Sequence, residues 1–149
     1  MPDMRLIDLN HLGRAMVIGA WIVEETYLID PGPAICLPRL LAELGEWQPK
    51  AILVTHIHLD HSGVVGHLLQ RWPQTEVWVH QRGAPHLADP SRLLASAHRV
   101  YGDQLEPLWG LPQPVPSAQL RIIQGGEKIG PMEVLYTPGH ASHHVAFLN

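Results

Sequence analysis

A close group of metal-binding residue types lies near the middle of the sequence. His56, His58, Asp60 and His61 fall within six residues, directly after the apolar run 51–55. Side chains at i and i+2 of an extended chain point the same way, so the imidazoles of His56 and His58 can converge on one point. Two neutral imidazoles at that spacing suit zinc. The pattern therefore predicts a metal site.

Asp60 and His61 fall where the chain turns into the next predicted helix. There they could serve a second metal, and two metals about 3.5–4 Å apart are a known hydrolytic arrangement. The alternative is that Asp60 only caps the helix and that His61 is a solvated residue of its first turn. An apolar strand, this histidine-rich segment and an amphipathic helix in succession favour the metal site.

A further candidate ligand is His140, in the segment Thr137-Pro138-Gly139-His140. This segment follows the predicted strand 132–136, which Pro138 and Gly139 end. The two residues suit a tight turn that presents His140 at the end of the strand. The alternative is an ordinary loop histidine.

Apolar periodicity predicts the elements that must position these residues. Short β-branched or alternating segments predict strands at 4–10, 15–24, 26–30, 51–55, 76–80, 120–123, 127–129, 132–136 and 144–148. Helical spacing of apolar residues predicts helices over 35–44, 64–72 and 91–108. Ser91 is the predicted N-cap of the last helix, and its flanks 83–90 and 110–117 are predicted to be irregular.

Composition excludes several classes of protein. The chain has 149 residues, a formal net charge of −4, 11 histidines and one cysteine. One cysteine forms no internal disulfide, which favours a reducing cytoplasm. Only two lysines and a negative charge make nucleic acid and anionic membranes poor partners. The N-terminus does not resemble a signal peptide, and the longest nearly uncharged stretch, 15–23, is too short to cross a bilayer, so we expect a soluble cytoplasmic protein.

The histidine-rich segment, Asp30-Pro31-Gly32 upstream and Thr137–His140 downstream together resemble the metallo-β-lactamase superfamily of metallohydrolases. The resemblance covers essentially the whole chain. It implies three ligands of a first metal, which are His56, His58 and His140. It implies that Asp60 and His61 bind a second metal and that Asp60 is also the catalytic residue, which orients the attacking water. It further implies that Asp30 supports the ligands without binding a metal itself. The implied cofactor is zinc, one or two ions, with iron or manganese as alternatives.

The resemblance also implies the fold. Members of this family form an α/β fold, a four-layer αββα sandwich of two similar halves. They carry two further ligands of the second metal, an acidic residue and a histidine, and no residue after His140 matches either. We therefore expect residues 1–149 to form a single incomplete domain, the N-terminal half plus the start of the second half only, and the chain to be part of a longer hydrolase.

Three functions follow as hypotheses. The first is a zinc hydrolase of a small ester, thioester or lactone, similar to the glyoxalase-II-like branch, that uses metal-bound hydroxide. The second is a mononuclear iron enzyme similar to the sulfur dioxygenases of the family. The third is a metal-binding fragment without turnover. The expected partner is a small-molecule substrate, with no nucleic acid and no membrane, and the chain could form a homo-oligomer.

Predicted roles for further residues follow from their position along the chain. We expect His143 or His144 near the rim of the pocket, in substrate contact or behind the ligands. The segment 81–119 is where substrate preference would reside, on loops and short helices over a rigid scaffold. Its candidate substrate contacts are Arg92, Arg99, Tyr101 and Trp109, the alternative being a helix with a solvated face. His67 should face away from the metal. The residues expected to be structural are His11, His80, His86, His98 and the buried Cys36.

Overall fold

The computed structural model describes residues 3–149, in which nine strands and six α-helices are present. The strands are β1 (Met4–Asp8), β2 (Gly19–Val23), β3 (Tyr27–Ile29), β4 (Ala51–Leu53), β5 (Glu76–His80), β6 (Leu120–Ile123), β7 (Lys128–Ile129), β8 (Met132–Tyr136) and β9 (Val145–Leu148). The helices are α1 (Leu37–Leu44), α2 (Leu59–Ser62), α3 (Val65–Arg71), α4 (Ala84–Ala88), α5 (Ser91–Tyr101) and α6 (Leu105–Trp109). None of the helices in this range has the length and apolar character that a membrane span requires.

The strands form two sheets. The first has six strands in the order β1-β2-β3-β4-β5-β6, of which β3 to β6 run parallel to one another. The second is the antiparallel sheet β7-β8-β9. Because parallel strands end at the same edge of a sheet, the loops that follow β3, β4 and β5 meet there.

The centre of the first sheet is buried on both faces, as the side chains of β4, which alternate between the two faces, show. Ile52 joins one apolar cluster, in which the sheet packs against α1, α3 and α4. Ala51 and Leu53 join a second cluster, which contains Met132 and Val134 of the other sheet. The order helix layer, sheet, sheet gives three of the four layers of the predicted αββα sandwich. The continuous apolar run 51–55 predicted a strand that is buried on both faces, and all three residues of β4 are buried.

The segment that precedes β6 departs most from the sequence predictions. The single helix predicted over 91–108 is wrong, since Gly102 adopts φ of +52° and separates α5 from α6. Ser91 is not the N-cap, because it is the first residue of α5 and Pro90 occupies the N-cap position without a side-chain capping bond. The backbone N–H of Ser91 donates instead to Asp89 Oδ1 at 3.1 Å. The flank 83–90 is not wholly irregular either, since it contains α4.

Several other bounds are also corrected. The helix predicted over 64–72 is α3, and a separate single turn, α2, precedes it and carries Asp60 and His61. The strands predicted over 4–10 and 15–24 are shorter, because the Asp8 carboxylate accepts the backbone N–H groups of Asn10 and Met16 at 2.9 Å each. These hydrogen bonds hold the intervening residues in a loop.

Gly66 of α3 lies against the backbone of Gln113, in the segment that leads to β6. A Cβ at Gly66 would overlap the Gln113 carbonyl oxygen and lie 2.6 Å from its carbon. Gly66→Ala should therefore lower the free energy of unfolding by about 1–3 kcal/mol, measured by urea denaturation. Gly139→Ala is the control, because nothing lies within 4 Å of its Cβ position. Equal losses of stability in the two variants would contradict this packing.

Candidate metal centre

The predicted metal-binding residues meet at the carboxyl edge of the parallel strands. Asp30 follows β3, and residues 55–61 follow β4. His140 lies in the loop between β8 and β9, and this second sheet reaches the same edge because the Val145 N–H donates to the Thr55 carbonyl at 3.0 Å. The two sheets therefore contribute residues to one site.

The Asp30 carboxylate fixes the residues around it. Its Oδ1 accepts the Thr55 backbone N–H at 2.8 Å, and its Oδ2 accepts the Thr55 hydroxyl at 2.6 Å and His61 Nδ1–H at 2.8 Å. Asp30 is 9% exposed and has φ of +45°, a left-handed conformation that costs about 1–3 kcal/mol outside glycine. Three charge-assisted hydrogen bonds offset that strain.

The same network sets the tautomer of His56. The Thr55 hydroxyl has one proton, which it donates to Asp30, so its oxygen accepts Nδ1–H of His56 at 3.0 Å. The Nε2 atom of His56 therefore carries a lone pair, and it is buried without a hydrogen-bond partner among the described residues. Burial, followed by the charges of neighbouring histidines, lowers the pKa of His56 to about 3, so the ring is neutral.

His58 and His140 complete a group of three imidazoles. His58 Nδ1 and His140 Nε2 are 3.0 Å apart, and one ring nitrogen of each of the three histidines lies within 4.8 Å of the others. Two nitrogens bound to one tetrahedral zinc lie about 3.3 Å apart. Burial, followed by the charge of His140, lowers the pKa of His58. The donor set and its spacing fit one metal ion.

Asp60 and His61 lie beside this group. The His61 ring centroid is 4.1 Å from that of His56, and its Nε2 lies 3.3 Å from Asp60 Oδ2. Burial alone lowers the pKa of His61, but hydrogen bonds to Asp30 and Asp60 raise it to about 10. Burial alone raises the pKa of Asp60, and the His61 hydrogen bond and charge lower it below its usual range. Asp60 is the second residue of α2 and does not cap the helix.

His143 and His144 also lie close to the three imidazoles. His143 is buried, and its Nε2 accepts the backbone N–H of Ile57, which lies between two of the candidate ligands, at 3.0 Å. Burial, followed by neighbouring histidine charges, lowers the pKa of His143 to about 4, which keeps that lone pair available. The His144 ring centroid is 5.0 Å from that of His56. His143 thus supports the loop that carries His56 and His58 and also lines a cleft beside it.

Two adjoining clefts open beside the site and share His58, Leu93 and Ser96. The apolar cleft, of about 400 Å³, is lined by His58, Leu59, Asp60, Leu93, Ser96, Ala97, Val100, Tyr101, Trp109 and His140. The polar cleft, of about 230 Å³, is lined by Ile57, His58, Arg82, His86, Arg92, Leu93, Ser96, Ser142 and His143. One side of α5 therefore covers both clefts.

The candidate substrate contacts divide between the clefts. Tyr101 and Trp109 line the apolar cleft and Arg92 the polar one, whereas Arg99 lines neither. Sequence reasoning missed Arg82 and left His86 as structural. Arg82 follows β5 at the same sheet edge as the metal-binding residues, which was the available signal.

The remaining assignments involve residues away from the three imidazoles. His67 Nε2 bonds to the Leu111 carbonyl at 2.9 Å. His11 stacks on Trp109 with ring centroids 5.0 Å apart, and His80 stacks on Tyr136 at 4.9 Å. His98 is exposed, and Cys36 is buried in the apolar cluster beneath α1.

A family model described as the Metallo-beta-lactamase superfamily matches residues 13–148. The chain belongs to the metallo-β-lactamase superfamily. This agrees with the predicted fold and with the resemblance in the sequence.

Among superfamily members, a hydroxyacylglutathione hydrolase of Xylella fastidiosa strain M12 is 36% identical over 122 residues, which are 81% of this chain and 36% of that protein. A solved archaeal member from Sulfolobus tokodaii matches with a TM-score of 0.75 and 23% identity, over 99% of this chain and 60% of that one. Another solved structure, a protein in a di-iron-bound form, matches with a TM-score of 0.63 and 28% identity, over 99% of this chain and 61% of that one. The chain thus spans about a third of the length of the curated relatives.

The role of the Asp30 carboxylate can be tested in this superfamily member with Asp30→Asn. An amide offers only one oxygen to three donors, so we expect zinc affinity to fall by about 10–100-fold, measured by competition with a chromogenic chelator. Asp8→Asn is the matched control, because Asp8 also accepts two backbone N–H groups, in a loop after β1. Unchanged affinity in Asp30→Asn would refute the role.

A second pair of variants tests His143. His143→Leu leaves the buried Ile57 N–H without an acceptor, which should lower the free energy of unfolding by about 1–3 kcal/mol. We also expect zinc affinity to fall about tenfold, because the metal-binding loop loses a support. His143→Gln restores an acceptor oxygen and should behave like the wild type in both measurements. If His143→Gln loses as much zinc affinity as His143→Leu, the hydrogen bond from the Ile57 N–H does not support metal binding.

Proposed function

We propose that this protein is a metal-dependent hydrolase that acts on a small ester, thioester or lactone. The observation that carries the proposal is the buried, unpaired Nε2 of His56 beside two further imidazoles. A buried acceptor without a partner costs about 1–3 kcal/mol, and coordination to a metal would satisfy it. The identity to proteins named hydroxyacylglutathione hydrolase supports hydrolysis as the reaction.

The proposed ligands of the first metal are His56, His58 and His140, and the proposed metal is zinc. Three imidazole nitrogens without sulfur match catalytic zinc sites, which keep a fourth position open. Asp60 and His61 are the proposed ligands of a second ion, which would replace the proton that His61 Nε2 shares with Asp60. Iron and manganese are the alternative metals, and a similar protein is solved with two irons. Zinc, when bound, supplies Lewis acidity and lowers the pKa of water towards about 7.

The chain's own residues would orient the attacking water and accept its proton. Asp60 lines the apolar cleft together with His58 and His140. Its lowered pKa keeps the carboxylate ionised at neutral pH, so it can orient a water and accept its proton. Hydrogen bonds to Asp30 and Thr55 hold the His61 and His56 rings in position. Leu93, Val100 and the aromatic residues of the apolar cleft would exclude bulk water from the acyl group.

The setting proposed for this activity is the cytoplasm, and the proposed partner is a small-molecule substrate. The single cysteine is buried and unpaired, which suits a reducing compartment. Net charge and the scarcity of lysine argue against nucleic acid as substrate.

The metal assignment is tested by His58→Ala. We expect this variant to lose stoichiometric zinc binding in isothermal titration calorimetry, because two imidazoles remain and the open position faces solvent. His98→Ala, which removes an exposed histidine of α5, should bind zinc as the wild type does. Retained one-to-one binding in His58→Ala would refute the assignment.

The reaction is tested by metal analysis together with turnover of a thioester, an ester and a phosphodiester panel. We expect zinc to support thioester or ester hydrolysis, and Asp60→Asn to lower kcat by about 100-fold or more as a general base is lost. Oxygen consumption that requires a single iron would instead establish the dioxygenase reaction and overturn the proposal.

A further inference from the structure

The polar cleft beside the metal centre carries unneutralised positive charge. Its ionised lining residues are Arg82 and Arg92, and its lining contains no carboxylate. Among residues 3–149 neither guanidinium forms a salt bridge within 4 Å, in contrast to Arg39 and Arg121, which pair with glutamates. Both arginine side chains are exposed, so an anion can reach them from solvent.

Arg82 is held in place by its neighbours. Its backbone N–H donates to His80 Nδ1 at 3.2 Å, and its guanidinium donates to the Tyr136 hydroxyl at 3.4 Å. That hydroxyl donates to the Ser142 carbonyl at 2.8 Å, which ties the contact to the loop that carries His140. The Arg82 side chain is exposed, and this contact joins it to β8 of the second sheet.

The chain around Arg82 is packed closely against the metal-binding loop. A Cβ on the next residue, Gly83, would lie 2.9 Å from Ile57 Cγ2 and 3.2 Å from His143 Cδ2. Gly83 therefore allows the turn from β5 into α4 to approach Ile57. This close approach brings the polar cleft to His58, which lines both clefts.

Arg92 also lines the polar cleft, as the second residue of α5. The nearest acid along the chain, Asp89, is engaged by the Ser91 backbone N–H at 3.1 Å. Hydrogen bonds from Ser91 and, to a smaller degree, the charge of Arg92 lower the pKa of Asp89. Among the described residues, however, the Arg92 guanidinium donates no hydrogen bond and forms no salt bridge within 4 Å. Its N–H donors can therefore bind a ligand in the cleft.

We propose that Arg82 and Arg92 form an anion-binding subsite that holds a carboxylate or phosphate group of the substrate next to the metal centre. Guanidinium groups bind both anions through paired N–H donors. The two clefts meet at His58, so the substrate class is a hydrolysable acyl compound with an anionic group at one end and an apolar group at the other. The inference rests on the proposed hydrolase function and adds the charge of its substrate.

Two matched substrate pairs test the subsite in the zinc-loaded protein. The carboxylate pair is the 4-nitrophenyl half-ester of butanedioic acid against 4-nitrophenyl butanoate. The phosphate pair is the acetyl thioester of 2-mercaptoethyl phosphate against that of 2-mercaptoethanol. We expect the charged member of at least one pair to have the higher kcat/KM, and the pair that shows this identifies the anion.

The variants are Arg82→Gln and Arg92→Gln, singly and together. The double variant should lower kcat/KM for the preferred charged substrate by about tenfold and leave its neutral partner within about twofold, since partly exposed ion pairs are worth at most about 1 kcal/mol each. Arg99→Gln is the matched control, because Arg99 lies on the same helix and lines neither cleft. Equal losses for both members of a pair, or an equal effect of Arg99→Gln, would overturn the subsite.

A binding measurement separates this inference from the hydrolase proposal. Calorimetric titration of the zinc-loaded protein with inorganic phosphate and with butanedioate should give an affinity at least about fivefold weaker in the double variant than in Arg99→Gln. That result without turnover of any substrate would support the subsite while the hydrolase proposal fails. Turnover without charge preference, and with anion affinity unchanged by the double variant, would overturn the subsite and leave the hydrolase proposal intact.

Discussion

The hydrogen bonds accepted by the Asp30 carboxylate are the interaction on which the proposed metal centre depends. One oxygen holds the backbone after β4, and the other holds the Thr55 hydroxyl and the His61 ring. Because Thr55 must donate to Asp30, it can only accept from His56. The lone pair of His56 is therefore left on Nε2, which is buried without a hydrogen-bond partner among the described residues. A single buried carboxylate thereby decides which atom of His56 can bind a metal. Its left-handed backbone is kept because these bonds outweigh the strain.

Both sheets are required to bring the ligands together. The first supplies the loop after β4, and the second supplies His140 from the turn after β8. Two hydrogen bonds join the sheets at this point, one from the Val145 N–H to the Thr55 carbonyl and one from the Ile57 N–H to the His143 ring. Apolar packing between the sheets, through Leu53 and Val134 among others, sets the separation that these polar contacts need. The metal centre is therefore a property of the interface between the sheets.

The sequence predicted the parts of the site that local pattern controls. A continuous apolar strand followed by alternating histidines placed His56 and His58, and the proline-glycine turn placed His140. The network behind them depends on tertiary contacts, because nothing local reveals that Thr55 donates to Asp30 across 25 positions of sequence. The break at Gly102 was missed because the apolar periodicity continues on both sides of it. Arg82 was missed because its significance comes from the sheet edge that it shares with β4.

The central claim is that His56, His58 and His140 bind one metal ion through the nitrogens that the network leaves free. It is tested most directly by anomalous diffraction from crystals of the zinc-loaded protein, recorded on both sides of the zinc absorption edge. The account predicts a peak about 2.0–2.1 Å from His56 Nε2 and from one nitrogen each of His58 and His140. A zinc peak bonded to His56 Nδ1, or placed away from these three rings, would contradict it.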